Sequence, residues 1–327
     1  MQATSDNADF VNLPTTIPSG TFAPALSGNH IGTTMRLNVS QIKCFQRSPM
    51  EWYYRYHLRR VPRRADSSYF LTGRWWHELM ERFFLTSDPL VAAEYGMEML
   101  DKICEEMAPL PNSAIEIEKF RDEALRLLSL FHVMPGKFIP TSTIAVEQAI
   151  ETHLPGTNHT LIGRPDRIIQ MHDKFWHLQF KTISDRTSIP VFVQTRERDL
   201  HELVYAYLIT GKYCTPDQFG GCYLHAIRKL SRKAINERPH EAFVQELIPI
   251  SWSQVTDAIC DIMDLADEMS DMSEGISRLI QNRDSDTNRF GNVLSPYYDI
   301  YSGRVSISDD RLFMDTPADP YETEGNE

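Results

Sequence analysis

A chain of 327 residues, 42% hydrophobic and 24% charged, has the composition of a soluble globular protein with one large domain or two ordinary ones. Its formal net charge of −12 excludes a nonspecific basic coat for nucleic acid, since phosphate binding needs local positive charge. No apolar run reaches membrane-spanning length, no signal peptide is expected, and Cys44, Cys104, Cys214, Cys222 and Cys260 lack CxxC spacing, so neither a zinc site nor a disulfide frame is indicated and a reducing cytoplasm is the expected setting.

Residues 1–35 are rich in Ser, Thr, Pro, Gly and Asn without periodicity and are expected to be a disordered segment. A helix is predicted from Ser40, read as an N-cap ahead of Ile42, Phe45 and the Trp52–Tyr54 cluster, with Pro49 breaking it or opening a second helix. The basic stretch Arg55–Arg64 follows. Arg59, Arg60, Arg63 and Arg64 could track phosphates while Trp52, Tyr53, Tyr54 and Tyr56 stack on bases. The other reading is a solvated turn with its aromatics in the core.

Gly73–Phe84 has a strong helical pattern that puts Gly73, His77 and Glu81 on one side. His77 and Glu81 there are either a metal ligand with its neighbour or an exposed polar face opposite Trp76, Leu79 and Phe83. Two more helices are predicted at 89–107 and 113–133, then a β-type run at Ile144–Glu147.

Next come two strand-like runs, Gly163–Ile169 and His177–Thr182, joined by a polar turn at Met171–Lys174. Alternation puts His177, Gln179 and Lys181 on one face and Trp176, Leu178, Phe180 and Thr182 on the other. Pro165 predicts a bend beside Asp166. One carboxylate (Asp166), one amide (Gln179) and one amine (Lys181) meeting at a point would suit a divalent cation and a water. An ordinary hairpin with a polar face is the alternative.

Asp199–Thr210 reads as an amphipathic helix ended by Gly211, followed by strands at about 219–227 and 242–249, and a long helix from near Ser251. This order predicts a mixed α/β fold. The domain plan is a helical region at 36–140, a core at 141–304 and an acidic tail at 305–327. His77-Glu78 and His201-Glu202 lack the second histidine of HExxH, and neither GxxxxGK[ST] nor GxSxG occurs.

Taken in order from Ser40 to about Gly303, these pieces resemble the PD-(D/E)XK nuclease superfamily, and within it the RecB-like exonucleases of phage type. Ser40-Gln-Ile-Lys-Cys-Phe-Gln-Arg-Ser-Pro49 is similar to the family's S-x-I-x-x-F-x-x-C-P helix. Gly73-x-x-x-His77 resembles its first motif, Asp166 its metal-binding aspartate, Gln179-Phe180-Lys181 its (D/E)-x-K, and His201–Tyr205 its Q-x-x-x-Y. The resemblance implies a mixed central sheet flanked by helices, with a helical N-terminal region. It implies Mg2+ or Mn2+ held by His77, Asp166, Gln179 and the Phe180 carbonyl. Lys181, Asp166 and Gln179 are then catalytic, with Glu147, Glu81, His201 and Tyr205 in support.

The activity implied is hydrolysis of DNA phosphodiester bonds by an exonuclease. Its setting would be recombination, repair or phage DNA metabolism in a bacterial or phage-infected cell, with a recombination or helicase partner. Gln179 stands in place of the acid, which implies weaker magnesium binding, and favours a second reading: a silent nuclease fold that binds DNA or serves a larger complex. RNA is a third possible substrate. Ser48, Asn292, Ser295 and Tyr301 stand where iron–sulfur relatives carry cysteines, implying no iron–sulfur cluster and a closing contact made by Tyr297, Tyr298 and Tyr301.

Overall fold

A short strand β1 (Arg36–Leu37) leads into helix α1 (Val39–Arg47), which is capped by Asn38 and not by Ser40. Asn38 holds an extended backbone and its side chain accepts the Gln41 N–H at 3.0 Å, so the first turn starts one residue ahead of Ser40. Pro49 opens α2 (Pro49–Trp52), with Ser48 as cap accepting the Glu51 N–H. A wide π turn (Tyr53–His57) then delivers β2 (Arg60–Pro62). The computed structural model describes residues 33–64, 66–131, 142–274, 297, 300 and 304–316. Segment 1–32 and Asn292, Ser295, Tyr298 and Tyr301 lie outside the described residues.

Three 19-residue helices follow, α3 (Ser68–Thr86), α4 (Pro89–Met107) and α5 (Ser113–Phe131). Trp75, Trp76, Leu79, Met80 and Phe83 on α3 recur at helical spacing and bury against Leu100, Ile103, Phe120, Leu127 and Phe131. That layer covers one face of a five-stranded mixed sheet.

Strand β3 (Ser142–Val146) begins the sheet region, followed by β4 (Ile150–His153), β5 (Thr160–Gly163), β6 (Arg167–Met171) and β7 (Lys174–Ser184). The run read as one strand from Gly163 is therefore two. β5 belongs to a three-stranded sheet ordered β1-β5-β4, whereas β6 belongs to the five-stranded sheet. Residues 164–166 form the joint. Proline has no N–H for a ladder, so pairing stops there and the chain changes sheets. The β6–β7 connection is a two-residue hairpin with His172 (φ 50°) and Asp173 (φ 62°) both left-handed, the turn that matches strand twist.

Helices α6 (Ile189–Arg196) and α7 (Leu200–Lys212) carry the chain across to β8 (Phe219–Lys229), which pairs parallel with β7. Helix α8 (Arg232–Glu237), β9 (Phe243–Ile248) and α9 (Trp252–Ser273) complete the core. Strand order is β3-β6-β7-β8-β9. Leu203, Val204 and Leu208 of α7 pack with Val255, Ile259 and Ile262 of α9, with Ile42 of α1, and with Ile168 of β6. Ile169, the next residue, faces the α3–α5 layer. The sheet is thus covered on both faces, a mixed α/β core with a helical N-terminal region, as expected.

Gly211 does not end α7. The helix runs on to Lys212 with Tyr213 as its C-cap, although glycine costs roughly 1 kcal/mol inside a helix. Strand β4 and helices α6 and α8 were not anticipated. Each is short, and α6 and α8 bury no residue completely, so they carry no amphipathic signal.

The tail read as acidic starts inside the fold. Strand β10 (Phe313–Asp315) pairs antiparallel with β2. Tyr297, 1% exposed, stacks on Tyr54 and Phe313 and donates its OH to the Arg60 carbonyl at 3.0 Å. No helix among the described residues is long and apolar enough to cross a membrane.

Candidate metal centre

The joint between the two sheets decides where Asp166 sits. Arg167 pairs with Leu178 across the hairpin, so Asp166, one residue earlier, comes opposite Gln179. Its Oδ2 accepts the Phe180 N–H at 2.6 Å, which fixes the carboxylate beside the Gln179–Phe180 peptide. Just before the joint, a Cβ on Gly163 would lie 2.6 Å from Leu208 and 2.8 Å from Tyr205. A side chain here would force Leu208 and Tyr205 of α7 to shift away from β5.

His77 reaches the same spot from α3. Its Nδ1 lies 3.5 Å from Asp166 Oδ1 and 3.9 Å from Glu147 Oε1. Glu147 follows β3 in a left-handed backbone (φ 47°), a conformation that costs on the order of 1 kcal/mol or more for a residue with a Cβ. The strain is held by the Glu147 N–H bonding to the Asp166 carbonyl at 3.1 Å, and Arg164 Nε bonds the Glu147 carboxylate at 3.0 Å. His77, Glu147 and Asp166 bring one ligand atom each to within 4.8 Å of one another.

Charge in this cluster is tightly linked. Burial works against a charged His77, yet Asp166 and Glu147 outweigh it and push the imidazole up to about 9. Burial likewise opposes ionised Asp166, but His77 and Lys181 hold its carboxyl well below the usual range. Burial pushes the Glu147 carboxyl up. Half-buried Lys181 is close enough for its charge to act on both His77 and Asp166. Gln179 is 2% exposed, and its amide oxygen has no hydrogen-bond partner.

The structure therefore brings His77, Glu147 and Asp166 together around the Gln179–Lys181 segment. Glu81 is not in this cluster, and its charge acts on the Tyr95 hydroxyl of α4. Tyr205 packs edge-on against His177 at 4.8 Å between ring centroids. His201 Nδ1 lies 2.9 Å from Lys43 Nζ and 3.3 Å from Asp199. Both residues line a cleft of about 590 Å³ with Arg36, Gln41, Arg55 and Arg59.

The basic stretch does not act as one surface. Arg59 lies in the cleft wall, and Arg63 and Arg64 are exposed. Arg60 is occupied: its guanidinium binds Asp310 at 2.6 Å and Asp315 at 2.8 Å and is 15% exposed. Arg164 and Lys43 were missed by the sequence reading. The position of Arg164 between Gly163 and Pro165 was the one local signal, and for Lys43 there was none.

A model of the PD-(D/E)XK nuclease superfamily matches residues 36–284. None of the curated proteins matches. Among solved structures, the crystal structure of SSO0001 is 14% identical, with 62% of this chain and 76% of that chain covered and a TM-score of 0.27. That likeness is too slight to bear on fold or chemistry.

Proposed function

The chain belongs to the PD-(D/E)XK nuclease superfamily, and from that premise we propose that it is a metal-dependent deoxyribonuclease working as an exonuclease. The observation that carries this reading is the convergence of His77, Glu147 and Asp166 beside Lys181. Two carboxylates and an imidazole fit Mg2+ or Mn2+, the imidazole favouring manganese, and the unpartnered Gln179 oxygen is a further neutral donor. When bound, the cation supplies Lewis acidity and lowers the pKa of a water.

The chain's own residues do the rest. Glu147 provides the second carboxylate that Gln179 does not, and Arg164 together with the 147–166 backbone bond holds it in place. The Phe180 N–H orients Asp166. Its carbonyl is assigned as another metal ligand. Lys181 positions the attacking water and stabilises charge that develops on the phosphate oxygens. A DNA strand would lie along the cleft, its phosphates met by Arg36, Arg55 and Arg59, with His201 and Tyr205 beside the strand nearest the metal. The setting is bacterial or phage DNA recombination or repair in the cytoplasm, with a recombination or helicase partner. The opposing reading, a silent fold that binds DNA, is favoured by Gln179 alone.

End-labelled linear and closed circular DNA, incubated with the protein in magnesium and in manganese separately, tests this. Linear DNA should be degraded from its ends, circular DNA should persist, and Asp166→Ala should abolish degradation. Binding without degradation of either DNA in either metal establishes the silent reading instead.

A further inference from the structure

A second group of ligand-type side chains lies on the α7 side of β7. His177 on β7, Glu202 on α7 and Cys222 on β8 bring an imidazole nitrogen, a carboxylate oxygen and a sulfur to within 4.8 Å of one another. All three residues are 1% exposed. His177 Nδ1 and Glu202 Oε2 lie 3.2 Å apart. The second carboxylate oxygen, Oε1, is buried with no hydrogen-bond partner, as is His177 Nε2. A buried acceptor left unmade costs on the order of 1–3 kcal/mol, so an arrangement this sealed needs a reason.

We propose that His177, Glu202 and Cys222 form a structural zinc site that clips α7 onto the parallel pair β7–β8. Zinc takes thiolate sulfur at roughly 2.3 Å and nitrogen or oxygen at roughly 2.0–2.2 Å, so ligand atoms on one zinc lie within about 4 Å of each other. The three donors are already near that separation. Glu202 can use both oxygens and so supply the fourth donor, which gives Oε1 its partner. A soft thiolate with imidazole selects zinc over magnesium or manganese. On binding, the thiol proton is released to solvent and sulfur bonds the metal.

The ligands come from three elements, which is why cysteine spacing gave no sign of zinc. His177 and Cys222 are register partners on neighbouring strands. Glu202 comes from the helix that connects those strands. Nothing in this site depends on the nuclease assignment.

The test uses the full chain made in zinc-replete medium and, separately, in cobalt-supplemented minimal medium, each purified in EDTA. Loading during synthesis matters because the site is sealed once folded. The zinc form should retain about one zinc per chain by mass spectrometry. The cobalt form should show sulfur-to-cobalt charge-transfer absorption with tetrahedral visible bands. Both signals should survive Asp166→Ala, which removes a ligand from the other cluster, and Cys44→Ser. Both should vanish in Cys222→Ser. Wild-type protein free of zinc and without the sulfur band overturns the proposal and leaves a triad without metal, and this result needs no variant to fold. A band that persists in folded Cys222→Ser overturns it equally.

Discussion

Two clusters of similar make-up lie along strand β7 and differ in access to water. In the cluster near α3, side-chain exposure is 28% for His77, 11% for Glu147 and 10% for Asp166. In the cluster under α7, it is 1% for His177 and 0% for Glu202. A metal that must meet a substrate needs the first arrangement, with oxygen donors and a lysine beside it. The second, sealed from water, suits the structural role proposed for it. Exposure, more than ligand type, divides the proposed reacting centre from the proposed structural one.

The sharpest way to break this comparison is to leave the sealed pair half made. In metal-stripped protein, Glu202→Ala should destabilise by about 3–5 kcal/mol in urea melts, since it strands His177 in the interior. The double change His177→Val with Glu202→Leu should be close to neutral, because an apolar pair needs no partners. A cost below about 1 kcal/mol for the single change would mean the cluster is wetter than described.

At the open cluster the effect should fall on rate. Lys181→Ala should slow single-turnover DNA cleavage by about 10²–10³-fold, some 3–4 kcal/mol, while DNA affinity is retained. Cleavage at the wild-type rate would remove Lys181 from the reaction.

A smaller change should come from restoring the acid. Gln179→Glu should tighten magnesium binding about tenfold, worth about 1.4 kcal/mol, by calorimetry. An unchanged affinity would mean that Glu147 and Asp166 complete the ligand set without residue 179.

The open cluster should also respond to pH. Protonated His77 cannot ligate, so its rise to about 9 means metal affinity climbs with pH until about 9 and levels off above it, with proton release on binding below that point. In metal-free protein the sign is opposite. A raised histidine contributes stability that is complete below its unfolded value of about 6.5 and is lost as pH passes 9. Asp166, held low, contributes stability above its unfolded value that is lost in acid. Metal affinity flat across this range would show His77 is not a ligand.

The smallest effects concern the arginines. Neutralising Arg55 or Arg59 should reduce the log–log salt slope of DNA binding by about one unit for each phosphate that the protein then leaves unneutralised. Arg60→Ala should leave that slope unchanged and loosen β2 from β10, detected by faster amide exchange there.

Local rules carried much of this molecule. Alternation along His177–Thr182 gave the two faces of β7, helical spacing gave α3 with His77, and Pro165 marked the joint beside Asp166. Tyr297, one of three tyrosines that the family resemblance implied for a closing contact, packs on Tyr54 and Phe313. The cap at Asn38 was missed because Ser40, two residues on, is an equally good capping residue type.

What the sequence by itself determined is whatever repeats within a few residues: strand alternation, helix faces, the break at proline, and the order of motifs that identifies the superfamily. Tertiary structure decided which distant groups share a point. Glu147 became a partner of His77 only when β3 paired with β6 and a left-handed residue turned its side chain inward. Cys222 came beside His177 only through the parallel register of β7 and β8, set by the long crossover through α6 and α7. Pairings of that span depend on the packing of whole layers, and no local periodicity encodes them.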